Sequence, residues 1–119
     1  MNSSRMDDFQ LREGDTEAGE KKQLIGEIEH DEVGQKFFIA YEDDEAVLAY
    51  TAVNDIMEIH HVFVPESQQG KGVAGSLAEA AFRYAENNGL KIIPACPYIK
   101  DTFLKKHPEW GRIVTESYF

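Results

Sequence analysis

Cysteine is almost missing from this sequence. Cys96 is the one thiol in 119 residues, so no internal disulfide can form, and a lone thiol is compatible with a reducing compartment. The paired-cysteine zinc patterns are missing as well, and the four histidines do not supply a His-x-x-x-His arrangement, so no metal site is expected. Long apolar runs are lacking: nothing approaches the roughly 18 consecutive apolar residues of a membrane span. The polar first ten residues also lack the apolar core of a signal peptide, and the expected location is the cytoplasm. Basic residues are outnumbered, with 12 Lys and Arg against 22 Asp and Glu and a net charge of -10. Such a surface repels nucleic acid and anionic membranes and fits a cationic partner better.

What is present is enough for one domain. An apolar and aromatic content of 42% over this length can bury a single compact core. Residues 1–22 carry six acids, four bases and few large apolar side chains, which predicts a disordered tail and leaves 23–119 as the folded domain. From Gln23 onward "LIGEIEH", "QKFFIAYE", "EAVLAYTAV" and "IMEIHHVFV" are short segments rich in Ile, Val, Phe and Tyr, separated by "DEVG", "DD" and "ND". These predict four strands in an antiparallel meander. The period then switches: "VAGSLAEAAFRYAENNG" puts Val73, Leu77, Ala81 and Tyr84 on one helical stripe, with Asn88-Gly89 as the stop. "LKIIPAC" predicts a fifth strand, parallel to the fourth through a right-handed crossover. "YIKDTFLKKH" predicts a second short helix stopped at Pro108, and "GRIVTESYF" a last strand.

Between the fourth strand and the first helix lies Gly70-x-Gly72-x-x-Gly75. A dinucleotide fingerprint would sit on the first strand of its βαβ unit, with an acidic residue ending the next strand. Here that strand ends "IIPAC" and four strands precede the loop, so nucleotide-linked redox chemistry is disfavoured. The P-loop pattern Gly-x-x-x-x-Gly-Lys-Ser/Thr is missing too. What remains is a set of closely spaced backbone N–H groups at a helix N-terminus, suited to pyrophosphate, or glycines that serve only a tight turn.

At these residues the sequence resembles the N-acetyltransferase superfamily known as GNAT. The signature Gln/Arg-x-x-Gly-x-Gly/Ala after a Val-x-Pro-like turn is matched by Gln69-Gly70-Lys71-Gly72-Val73-Ala74 behind Val64-Pro65. The segment "IIPACPYIKDTFLKKHPEW" is similar to the short YjdJ-like branch, with its Cys-Pro-Tyr and His-Pro-Glu-aromatic segments. The resemblance spans about Leu24 to Trp110. It implies a GNAT-like α/β fold: a mixed, mostly antiparallel sheet, a central helix after the phosphate loop and a second short helix. It implies an acetyl-CoA site, with pyrophosphate on the amides of Gln69, Gly70, Lys71, Gly72, Val73, Ala74 and Gly75. Pantetheine would run along Val62, Phe63 and Val64, where the fourth and fifth strands splay apart. Lys71 adds a charge contact to a phosphate or is simply a solvated loop lysine.

The implied activity is transfer of acetyl from acetyl-CoA to an unidentified amine, on a small molecule or a protein lysine. Such transfer needs a donor for the developing oxyanion, which the resemblance places at the amide near Val62, and a base for the amine. Candidates for the base are Glu58, His60 and His61. Strand neighbours point to opposite faces, so the two histidines are not both expected to address the acceptor and make a poor metal pair. Cys96 could take up acetyl covalently or act as a thiol acid, or it is a buried inert thiol. The family's usual tyrosine acid corresponds to Phe103, which leaves Tyr98 or Cys96 as substitutes. His107 reads as a helix-end residue balancing the dipole. Residues 27–58 hold ten acids and one base, either an acceptor face for cations or a solvated acidic one. The competing reading is a non-catalytic acyl-CoA-binding or protein-interaction module, because the helices that usually wall the acceptor site are missing.

Overall fold

The computed structural model describes residues 27–116; the expected tail lies outside them. Strands β1 (Glu29–Asp31), β2 (Lys36–Ala40), β3 (Glu45–Val53) and β4 (Ile56–Phe63) pair antiparallel in sequence order. Helix α1 (Val73–Asn87) then crosses over to β5 (Lys91–Pro94), which pairs parallel to β4. The meander, the crossover and the mixed, mostly antiparallel sheet are as the sequence predicts. Of "LIGEIEH" the first three residues lie outside the described ones, and among the described residues pairing with β2 begins at Glu29. Left-handed backbone at Gln35 (φ 57°) and Asn54 (φ 56°) closes the first and third hairpins, and Asn is among the non-glycine residues that tolerate it best.

Alternation decides which face is covered. Phe37 and Ile39 of β2, and Ala46, Leu48 and Tyr50 of β3, are buried together with Val73, Leu77, Ala81 and Phe82 of α1. The helix is rich in alanine, a strong helix former, and it stops at Asn88, where Gly89 takes φ 71°. Among the described residues, no helix is long and apolar enough to cross a membrane.

The C-terminal elements differ from expectation. The second helix is a π-type turn (Ile99–Phe103) that runs into a short α2 (Leu104–Lys106). Its Ile99 and Phe103 are buried, with the Phe103 ring 5.2 Å from that of Phe82. Among the described residues the expected last strand, 111–119, does not form, and 117–119 lie outside them. Pro108 instead opens a 3-10 turn (Pro108–Ile113) that buries Trp110, 5.6 Å from Phe82, and Ile113. Packing of Trp110 on Phe82 of α1 outweighs the strand pattern, and among the described residues of this segment Val114 alone makes an isolated parallel bridge, to Ile92.

Candidate functional site

β4 changes phase halfway. Before the change Met57 and Ile59 are buried; after it Val62 and Val64 turn to the helix side, where they pack on the core. The register with β3 jumps between Ala49 and Tyr50, whose partners are His61 and Ile59. His60 is thus the extra residue of a β-bulge. The bulge overturns the expectation that His60 and His61 face opposite ways: both lie between inward-facing Ile59 and inward-facing Val62, and both are exposed on the side opposite α1. His60 Nε2 lies 2.7 Å from Thr51 Oγ1.

The bulge falls where β4 and β5 part. Their last registered pair is Ile59 with Pro94, and the Cys96 N–H then donates to the Ile59 carbonyl at 3.0 Å. Beyond that bond β4 runs on to Phe63, while the chain after Cys96 turns into the π segment. The strands open at this point, as the resemblance implies.

On the helix side the opening leads into a groove of about 300 Å³ lined by Val62, Val64, Gln68, the 69–75 loop without Lys71, and Tyr98. Gly70 (φ 82°) and Gly72 (φ 81°) hold left-handed backbone, and a Cβ at either would meet no heavy atom within 4 Å. Backbone on this side is therefore open to close approach. Gly72 is the N-cap of α1 and brings no side-chain cap, so first-turn N–H groups stay available for an anion. The loop is braced from within: the Gln69 amide donates to the Val64 carbonyl at 3.1 Å, and Lys71 Nζ donates to Gln68 Oε1 at 3.4 Å. A groove with open glycines, uncapped amides and an apolar strand wall fits a pyrophosphate carrying an extended arm.

Several candidate residues sit apart from one another. Val62 and Val64 line the groove, whereas the Phe63 side chain, 42% exposed, lies on the opposite face. Lys71 is outside the lining, and Gln68, which the sequence did not single out, is inside it. Tyr98 reaches the loop, with its hydroxyl 3.6 Å from where a Gly75 Cβ would stand. Burial, and then the charge of a Cys96 thiolate, push the Tyr98 phenol above its ordinary pKa, so it holds its proton at neutral pH. Cys96 is buried. Phe103 is core, and the His107 ring lies tilted against it at 4.8 Å. Glu58, His60 and His61 are on the sheet face opposite α1, with Glu58 still in register with Ile93 of β5 and the two histidines beyond the last registered pair. Among the described residues no group of three or more His, Cys, Asp or Glu could hold a metal ion.

Comparison with known proteins adds an independent line. Residues 36–113 match the family model of the GCN5-related N-acetyltransferases. Protein NATD1 of Gallus gallus is 33% identical over 85 residues, covering 69% of this chain and 76% of that protein. Protein NATD1 of Homo sapiens is 33% identical over 84 residues, covering 68% and 74%. A GCN5-like protein of Staphylococcus aureus, solved by NMR, superposes with a TM-score of 0.61 at 30% identity, over 76% of this chain and 89% of that one.

Proposed function

The chain belongs to the GCN5-related N-acetyltransferases, and on that premise we propose that it binds acetyl-CoA in the groove and transfers acetyl to an amine. The observation that carries this reading is the convergence of the uncapped α1 N-terminus, the open Gly70 and Gly72 backbone and Tyr98 on the point where β4 and β5 part. The amides of Gly70 to Gly75 would hold the pyrophosphate, and Val62 and Val64 the arm that follows. When bound, acetyl-CoA supplies an activated acetyl thioester. The protonated Tyr98 hydroxyl is suited to give a proton inside the groove, in place of the acid that Phe103 cannot be. The amide at Val62 would stabilise negative charge on oxygen. In this reading one of Glu58, His60 and His61, on the sheet face opposite α1, would take the proton of the incoming amine. Membership of the short branch rests on the Cys96-Pro97-Tyr98 and His107-Pro108-Glu109-Trp110 segments, and a cytoplasmic site of action belongs to the same reading.

The test is acetyl-CoA turnover over a panel of amines with wild type and Tyr98→Phe. The phenyl ring keeps the packing while removing the proton. Turnover should fall by roughly 10²–10⁴-fold, with acetyl-CoA affinity changed little. Binding without turnover in wild type would favour the acyl-CoA-binding module; neither binding nor turnover would overturn both readings.

A further inference from the structure

We propose that the face of the sheet opposite α1 docks a lysine-rich amphipathic segment of a partner protein and leads a lysine to the opening between β4 and β5. Cross-strand register aligns Phe38, Val47 and Phe63 as one apolar row across three adjacent strands. Their neighbours Phe37, Leu48 and Val62 point to the helix side, so the row faces away from α1. Phe63 is 42% exposed, and Val53 on the same face is 46% exposed. The row ends on β4 past its last pairing with β5, at the opening itself.

Charge selects the occupant. The row is flanked by the β2–β3 turn with Glu42, Asp43 and Asp44, and by Glu58 two rows away. The single base in 27–58, Lys36, is paired with Glu45 at 3.0 Å. A second copy of this chain would set ten carboxylates against ten, which disfavours self-docking. A free polyamine would meet the charge but leave the row without apolar side chains. A segment with lysines on one side and leucines on the other satisfies both. Identifying the docked lysine as the acetylated amine rests on the transferase reading; docking itself needs no acetyl-CoA and is measured without it.

The experiment is fluorescence anisotropy of the full chain with a labelled lysine-rich peptide bearing leucines on one face, and with the same peptide carrying serine for leucine. Two variants accompany wild type. Phe38→Ser/Val47→Thr weakens the apolar row, and Glu42→Lys/Asp43→Lys reverses an exposed turn with little risk to the fold. Circular dichroism and acetyl-CoA binding check that both remain folded. The leucine peptide should bind wild type at least roughly tenfold more tightly than the serine peptide, and each variant should lose a comparable factor. Added salt should weaken binding to wild type more than to the charge-reversed variant. Equal affinity for the two peptides, variants indistinguishable from wild type, or self-association across this face in light scattering would each overturn the proposal. Wild type that binds the peptide but never acetylates it, while turning over another amine, would preserve the docking and overturn the identification of the docked lysine as the acetylated amine.

Discussion

Residues 27–58 hold ten acids and one base, whereas residues 59–116 hold six acids and seven bases. The first region is the meander through the start of β4, and the second carries the bulge, the glycine loop, α1 and everything after. One compact sheet therefore joins a strongly anionic half to a nearly neutral one. The proposed reaction would give a reason for the split: coenzyme A is a polyanion, and an amine acceptor is a cation before it reacts. Ten carboxylates around the glycine loop would oppose the first, while on the meander they would favour the second. Polar side chains are also used differently. In the meander His30 is stacked on Phe37 and bonded to Tyr50 inside a ring cluster; around Phe82 the rings of Phe103 and Trp110 pack without such a bond.

The largest break in this comparison comes from moving charge across it. Gly72→Glu places a carboxylate at the α1 N-terminus, on the open side of the loop. Acetyl-CoA affinity should drop by roughly a hundredfold or more, through steric block and charge repulsion. Because Gly72 has φ 81°, any side chain there also costs roughly 1–2 kcal/mol; Gly72→Ala measures that part separately. Calorimetric titration of the two variants separates ligand loss from backbone strain. Equal affinities for Ala and Glu would return the loop to a purely structural turn.

A smaller effect is expected at Cys96, on the seam between the halves. Its amide closes the last bond to β4, and the residue is buried. Direct attack by the amine predicts that Cys96→Ser keeps turnover within about tenfold, with a stability loss on the order of 1 kcal/mol. A covalent route predicts a loss of several orders of magnitude and a single acetyl adduct on Cys96, removable by amine, in intact-protein mass spectrometry. The buried position favours the direct route.

The two halves were not equally legible in the sequence. Hairpin turns, strand alternation, the α1 stripe and the loop glycines are local signals, and each marks its element within a few residues. The bulge has a local signal too: apolar positions run 57, 59, then 62, 64, and the three-residue step between Ile59 and Val62 marks the change of phase. Reading "IMEIHHVFV" as one uninterrupted strand hides it. The failed last strand is different in kind. "GRIV" is compatible with a strand, and burial of Trp110 against Phe82 of α1, a contact distant in sequence, decides otherwise. Gln68 enters the groove lining only because the 3-10 turn Glu66–Gln68 rotates it there.

The His30 cluster was illegible for the same long-range reason, and it supplies the smallest predicted effect. His30 Nε2 lies 2.6 Å from the Tyr50 hydroxyl, its ring is 4.0 Å from Phe37 and it meets the Tyr84 ring edge-on. Burial pushes the His30 pKa below 6.5, against the opposing pull of Glu32 and Asp31. Burial, with the charges of Tyr84, Glu32 and Asp31 behind it, pushes the Tyr50 phenol up to about 12. The pair is thus neutral at pH 7. Below pH 6.5 the unfolded chain protonates His30 while the folded chain resists, so the unfolded state binds more protons and stability rises with pH in that window. Relative to the plateau above pH 6.5, stability should fall as pH drops from 6.5 through the lowered folded value, then level off as far as this group is concerned. Tyr50→Phe removes the bond and should cost about 1 kcal/mol at pH 7.5; His30→Gln should remove this group's share of the slope. Urea melts of the three proteins at pH 7.5, 6.5 and 5.5 give the comparison. If wild type and His30→Gln lose equal stability between pH 6.5 and 5.5, the titrating group in that window is not His30.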